Sequence, residues 1–571
     1  MTPRAGPDII GGRAAPGHIA VPRQSPRAVA GGLGSPQAGY VAGPKWLWAV
    51  PPAVTLAVVL CGIQRPSYWR DEAATLAAVR RPFGDLVSML CNVEAVHGVY
   101  YVMMWIVVRL AGTGELATRL PSALAMAMAA AGVAATGRRL ISPWAGLFAG
   151  LLFAALPEVS LYGQDARPYA LVTALATTAS YLLVRVLGAG QSRRGWLAAY
   201  GLALTAAGLV NIFALALVPA HGLTVALALR RQRSRPARRS LLAGWLAAAA
   251  VAAAAASPLI AAAWAQRGQE HWLKRPGPRM LAALRYLVGP SALVIVVLLV
   301  IGCAVAVSVA GGRARARADW PARLPALCLP WLLLPPAVLL TGSLIQPAYT
   351  LRYVLFTLPA LALLAGAALA ALGRMAGTIG LALVLLAGLP AQVDVRQHGA
   401  HGDNIRMADS IVAAARRPGD AVLYANSGAA NMAAAYPSGL PQLRNVALAR
   451  TPIPSGTLSG SYLPPAWVRR RLASVRRVWV VEVRKGVGPF RLPLLQGEGF
   501  RLVRKWRTSD IWLMLYRHRL RHRHQETAST APARHERRPP LADRQEARNT
   551  AGTPPAPETT SAMIKSSVPH V

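Results

Sequence analysis

One feature constrains this chain more than any other: apolar runs of roughly 17–25 residues, each about the length that crosses a bilayer's hydrocarbon, recur from Trp46 to Gln392. The chain is 54% hydrophobic and carries a formal net charge of +40, a combination that suits a polytopic membrane protein with basic loops and not a soluble one. The basic excess falls mainly in short loops and terminal tails, and no nucleic-acid motif accompanies it. A nucleic-acid partner is therefore not expected.

Loop charge gives an expected orientation. Arg138–Arg139, Arg193–Arg194, RRQRSRPARR (230–239) and RARARADWPAR (313–323) are the basic connections, and such loops favour the cytoplasm. With all four inside, eleven spans are expected, at 45–63, 119–136, 143–157, 168–188, 197–211, 213–230, 241–264, 286–310, 324–342, 353–372 and 376–392. The N-terminus is then cytoplasmic and the C-terminal region extracytoplasmic. HGVYYVMMWIVVRLAG (97–112) is left out of this count. Its apolar core is short and Arg109 interrupts it. It reads as an interfacial helix with Tyr100, Tyr101 and Trp105 at headgroup depth.

The expected organisation is a disordered basic segment at 1–44, a transmembrane domain at 45–392, an extracytoplasmic α/β domain at 393–517 and a disordered basic tail at 518–571. In the third of these, NIRMADSIVAAARRPGDAVLYA reads as helix, turn and strand. VRRRLASVRRVWVVEVR repeats helix then strand, and FRLVRKWRTSDIWLMLYR reads as a hairpin. Of the four cysteines, Cys303 and Cys328 sit in apolar runs, and a Cys61–Cys91 disulfide stays open.

Between residues 45 and 392 the acids are Asp71, Glu72, Asp85, Glu94, Glu115, Glu158, Asp165, Glu270 and Asp319. All but Asp319 fall on the expected outer face. Acids contribute little to topology, so insertion does not account for this one-sidedness, whereas a reaction site would. Adjacent carboxylates at Asp71 and Glu72 can equally cap a helix start. Carboxylates from separate loops can supply a base and an orienting group or metal ligand. Arg167, Lys274, Arg275 and Arg352 stand on the same face against the usual charge bias. A lone arginine there is commonly snorkelling, but several beside carboxylates suit an anionic ligand. Arg352, at the mouth of a span, is placed for bidentate contact with a lipid phosphate. No P-loop, HExxH, GxSxG or CxxC pattern occurs. What remains is transfer of a sugar from a lipid-linked phosphate, a carboxylate taking the acceptor's proton.

WRDEAATL, EAVHGVYY, TRLPSALA, GQDARPYALV and LRYVLFTLPAL, in this order, resemble the GT-C glycosyltransferases. The family 39 type, with its protein O-mannosyltransferases and lipid A aminoarabinose transferases, is the nearest likeness. It covers roughly 45–392, with a looser likeness to actinobacterial relatives beyond. The resemblance implies a mainly α polytopic bundle with interfacial helices in the first external loop, an acid after the first span as catalytic base (Asp71, with Glu72 beside it) and a second acid before an aromatic pair (Glu94). It places a further acid at Asp165, and implies a polyprenyl-phosphate sugar donor with inverting, nucleotide-free transfer, mannose being the expected sugar. Glu94 and Asp165 stand where relatives carry Asp and Glu. That one-methylene swap leaves metal geometry, and so a Mg or Mn ion, open. His97, Tyr100, Asp165, Arg167, Tyr169, Lys274, Arg352 and Tyr353 form the candidate substrate-binding set. The expected partners are the bilayer, the lipid-linked donor and a protein, lipid or glycan acceptor. Two other classes compete: a lipid or sugar transporter or flippase, and a non-catalytic envelope-glycan assembly protein. Midplane charges with related halves would mark the first.

Overall fold

The computed structural model describes residues 46–189, 193–270, 323–347, 349–483 and 497–519, together with Gly277 and Leu495. The expected span at 286–310, the two termini, Cys303 and the Lys274–Arg275 pair lie outside the described residues.

The membrane part is built from helices α1 (Trp46–Leu60), α2 (Arg70–Val79), α3 (Phe83–Asn92), α4 (Gly98–Ala111), α5 (Glu115–Leu140), α6 (Pro143–Ala155), α7 (Pro157–Gly163), α8 (Tyr169–Gly188), α9 (Arg193–Val210), α10 (Leu217–Arg231), α11 (Arg235–Ala265), α12 (Arg323–Gly342), α13 (Leu358–Ala371) and α14 (Arg374–Asp394). Among the described residues seven helices are long and apolar enough to cross a membrane; α6 and α7, bent by 64°, make an eighth if counted as one span. The chain is a multi-pass membrane protein, and the count of eleven is not reproduced by this criterion. At 14 residues α4 reaches about 21 Å, short of a hydrocarbon core of about 30 Å. Tyr100, Tyr101, Met104 and Val108 make its buried stripe, against Ala78, Val79 and Leu86 of the neighbouring short helices.

In the bundle α5 packs on α1, α6 and α8, α8 on α9, and α9 on α11, while α13 lies along α6. Lipid tails are as apolar as leucine, so close backbone approach stands in for a hydrophobic drive between helices. A Cβ on Gly146 would lie 2.3 Å from the Ala134 carbonyl oxygen, and one on Gly366 2.4 Å from the Ala149 nitrogen. Both positions therefore need glycine.

The C-terminal region starts with α15 (Ile405–Ala415) and builds a five-stranded sheet in the order β2-β1-β5-β7-β6. Its strands are β1 (Ala421–Tyr424), β2 (Arg444–Asn445), β5 (Arg477–Val483), β6 (Phe500–Thr508) and β7 (Ile511–His518); β3 (Leu448–Arg450) and β4 (Ser461–Tyr462) form a separate pair. β1 is parallel to β2 and β5, and β7 runs antiparallel to β5 and to its hairpin partner β6. The helix–turn–strand and hairpin segments read in the sequence form at these places.

Tyr68, Ala73 and Leu76, around and within α2, are buried in one cluster with Ile405, Trp479 and Leu513 of the α/β region. A helix of the first loop thus shares its core with the C-terminal sheet, which fixes α2 at one end of the bundle. Cys61 and Cys91 are free thiols, each exposed, so the disulfide left open by the sequence does not form.

Candidate active site

Helix α2 starts abruptly. Trp69 is extended before it and provides no side-chain cap, and Asp71 and Glu72 both occupy the first turn, where negative charge suits the helix dipole. Two successive carboxylates on a helix point about 100° apart, so one helix start delivers them to two environments.

Glu72 is fully buried. Arg119 grips it with both faces of its fork, Nε to Oε1 at 2.8 Å and Nη2 to Oε2 at 2.7 Å, and the Ala166 amide donates to Oε1 at 2.9 Å. Arg119 spends its remaining hydrogens on the carbonyls of Ile63, Pro66 and Ser67. Glu72, expected beside Asp71 as a catalytic acid, ties α2 to α5 and to the turn before α8, because burial demands that every charge and lone pair there be matched.

Asp71 is 27% exposed, and its Oδ2 meets Arg352 Nη1 at 2.9 Å. Burial alone would raise this carboxyl. Arg352, Arg167 and Arg70 outweigh it and hold the group below its ordinary 3.8. Arg352 precedes α13 and lies over three rings, Trp69 at 5.6 Å, Tyr353 at 5.7 Å and Tyr169 at 5.9 Å. Those faces hold the guanidinium by cation–π attraction.

Glu94 takes the left-handed conformation at φ 61°, uncommon for a residue with a Cβ, as the chain turns into α4. It accepts a 3.0 Å bond from the Tyr101 hydroxyl. Burial raises its carboxyl above 4.5, against the pull of Arg167 and of that bond. Arg167 donates from Nη1 to the Tyr101 hydroxyl at 3.2 Å and the Asp71 carbonyl at 3.4 Å, and from Nη2 to His97 Nε2 at 2.8 Å. A guanidinium has no acceptor, so His97 Nε2 must accept and the ring proton sits on Nδ1. The ring is then neutral, and its 3.8 Å approach to Glu94 is not an ion pair. Asp165 is fully buried and takes the Trp69 indole hydrogen at 3.0 Å; burial, then the Glu72 charge, push its carboxyl well above 3.8.

The structure thus joins Asp71, Glu94, His97, Asp165, Arg167, Tyr169, Arg352 and Tyr353 at one end of the bundle. Tyr100 is buried beside Tyr101. Lys274 lies outside the described residues. Buried side-chain atoms with no hydrogen-bond partner among the described residues concentrate here: His97 Nδ1, Tyr100 OH, Asp165 Oδ2, Arg167 Nε, Tyr169 OH and His401 Nε2. Native interiors rarely leave so many polar atoms unmatched unless a ligand or water satisfies them. Among the described residues no three His, Cys, Asp or Glu side chains are grouped to hold a metal ion, so the Mg or Mn ion left open by the sequence finds no ligand set there.

Sequence reasoning missed Arg119, Trp69, Tyr101, His401 and Asp403. Arg119 was within reach, being a further arginine on the acid-rich face. His401 and Asp403 follow the last span in QHGAHGDN, with no periodicity or motif to single them out.

Residues 98–264 match the family described as dolichyl-phosphate-mannose-protein mannosyltransferase, and so carry a glycosyltransferase family domain. That stretch includes Asp165 and Arg167 but neither Asp71 nor Arg352. No curated protein matches the chain. Among solved structures, ArnT from Cupriavidus metallidurans in the apo state is 14% identical with a TM-score of 0.54, over 82% of this chain and 97% of that one. ArnT from the same organism bound to undecaprenyl phosphate is 16% identical with a TM-score of 0.52, over 82% and 98%. These likenesses show the fold. The chain has the GT-C fold with a small C-terminal strand region, as its resemblance to family 39 implied.

Proposed function

We propose that this protein is a membrane glycosyltransferase that moves a sugar, mannose on the family's likeness, from a polyprenyl-phosphate donor to an extracytoplasmic acceptor, with Asp71 as general base. The observation that carries the reading is the meeting of Asp71, Arg352 and Arg167, from three separate parts of the chain, amid buried polar atoms that lack partners among the described residues. The family match and the undecaprenyl phosphate bound to one structural neighbour support the lipid-linked donor.

Arg352 has two tasks in this scheme. Without donor it neutralises Asp71 and makes it a poor base. The donor's phosphodiester, a monoanion with two free oxygens, offers the guanidinium a bidentate partner at the bundle rim, and the charge it gains on leaving makes it a stronger one. Once Arg352 turns to the phosphate, with Arg167 beside it, burial dominates at Asp71 and its proton affinity rises. The carboxylate then takes the acceptor's proton as the acceptor oxygen bonds to the anomeric carbon. The bond from that carbon to the phosphate oxygen breaks, its electron pair leaves with the polyprenyl phosphate, and the two arginines hold the added charge. Attack opposite the leaving group inverts the anomeric centre. Glu94 braces Tyr101 and thereby Arg167. Glu72 acts on the base through α2 and not on substrate.

The test is transfer from a panel of radiolabelled polyprenyl-phosphate sugars in membranes carrying the protein. Label should reach an acceptor from one such donor in wild type and not in Asp71→Asn. Transfer solely from a nucleotide sugar would overturn the donor class, and full activity in folded Asp71→Asn would remove the base.

A further inference from the structure

The α/β region reaches into the site through the segment that joins it to α14. The His398 carbonyl accepts from the Ser67 amide at 2.9 Å. Asp403, fully buried, accepts from both the Arg70 amide at 3.1 Å and Arg70 Nε at 2.8 Å. Between these anchors His401 lays its ring flat on Trp69, centroids 5.1 Å apart and planes 8° apart. Trp69 is the residue whose indole hydrogen binds Asp165 and whose ring lies under Arg352. His401 is therefore one aromatic ring away from both, and its Nε2 is buried with no partner among the described residues.

Burial, with the Arg119 charge, pulls this imidazole down to about 3, so the ring is neutral at physiological pH. A neutral ring is poorly suited to an anion, which Arg352 and Arg167 already serve in that reading. One nitrogen that donates and one that accepts suit a neutral hydroxyl. Resting on the glycosyltransferase reading above, we propose that His401, although it follows the last membrane helix, is a substrate-binding residue whose Nε2 hydrogen-bonds a hydroxyl of the reacting sugar or of the acceptor. The α/β region is thereby part of the site: it both anchors α2 through Arg70 and contributes a ligand-contacting side chain.

The experiment uses full-length protein in nanodiscs with two probes, undecaprenyl phosphate and the undecaprenyl-phosphate sugar that wild type turns over in the panel. His401→Phe keeps a flat ring on Trp69 and removes both nitrogens. Affinity for the sugar-bearing lipid should fall about tenfold, the worth of one hydrogen bond, with undecaprenyl phosphate bound as tightly as by wild type. Unchanged donor affinity with an about tenfold higher KM for the acceptor labelled in the panel assigns the hydroxyl to the acceptor. His401→Gln, which restores a hydrogen-bonding group, should recover part of either loss. Wild-type affinity and KM in His401→Phe overturn the proposal, as does an equal loss for both lipids, which would mark a purely structural ring. Failure of the wild type itself to bind undecaprenyl phosphate would strike the lipid-phosphate reading instead, and the wild-type measurement reports it separately.

Discussion

Asp71 and Glu72 are neighbours in one helical turn, and each faces an arginine, yet the two pairs differ in nearly every other respect. Glu72–Arg119 has no exposure on either side chain, and each carboxylate oxygen is matched. Asp71–Arg352 keeps 27% and 16% exposure, its charged ends meeting at 2.9 Å. A buried pair with all its bonds made is a rivet: its attraction offsets desolvation only while the geometry stays intact. A partly exposed pair can be opened by a ligand that offers the arginine more. Charge type does not separate the riveted acid from the proposed base here; burial does.

That comparison is breakable. The largest effect should come from Asp71→Asn, which leaves the fold and lowers the transfer rate by about 10²–10⁴-fold, the usual contribution of a general base. Equal thermal unfolding of variant and wild type, measured alongside radiolabel transfer, is part of the expected result. Next is Arg119→Ala. Leaving Glu72 charged and unmatched in the interior should cost about 3–5 kcal/mol of stability, seen as a lower unfolding midpoint and a poor yield of monodisperse protein. Molecules that do fold should still transfer sugar. If Arg119→Ala were instead stable and inactive, the two pairs would have exchanged roles.

Arg352→Ala sharpens the comparison through pH. As the proposed base, Asp71 has to be deprotonated; Arg352 is the largest of the cations that lower its pKa, while burial, the largest influence of all, raises it. Removing the cation raises the pKa, so activity should be lost at a higher pH on acidification. The acidic limb of kcat/KM, which reports the free enzyme, should therefore shift upward, with an about tenfold or greater fall in rate. An unmoved limb would mean that Asp71 is not the titrating base. The smallest effect belongs to Asp403→Asn, which keeps an acceptor for the Arg70 amide but removes the charge opposite the guanidinium. Arg70 is 28% exposed, so about 1 kcal/mol is expected, measured as a modest drop in unfolding midpoint.

Much of the site was legible in the sequence, for a reason these residues share. Asp71, Glu94, Asp165, Arg167 and Arg352 are charged groups beside long apolar runs, and such groups are conspicuous wherever hydrocarbon makes charge costly. Glu72 was equally conspicuous; its pairing with Arg119, which the sequence places at the mouth of another helix, was not. Trp69 and His401 carry no charge signal. Their importance lies in a ring stack between the first loop and the segment after α14, and no periodicity encodes that.

Hydropathy and loop charge are sums over neighbouring residues, so the chain alone determined a multi-pass helical bundle, an α/β region after it and one end rich in acids and arginines. Which arginine meets which acid depends on contacts of about 3 Å between side chains far apart in the chain. The packing of α2 between α5 and the C-terminal sheet decided that Glu72 is riveted, that Asp71 faces Arg352, and that His401 joins them.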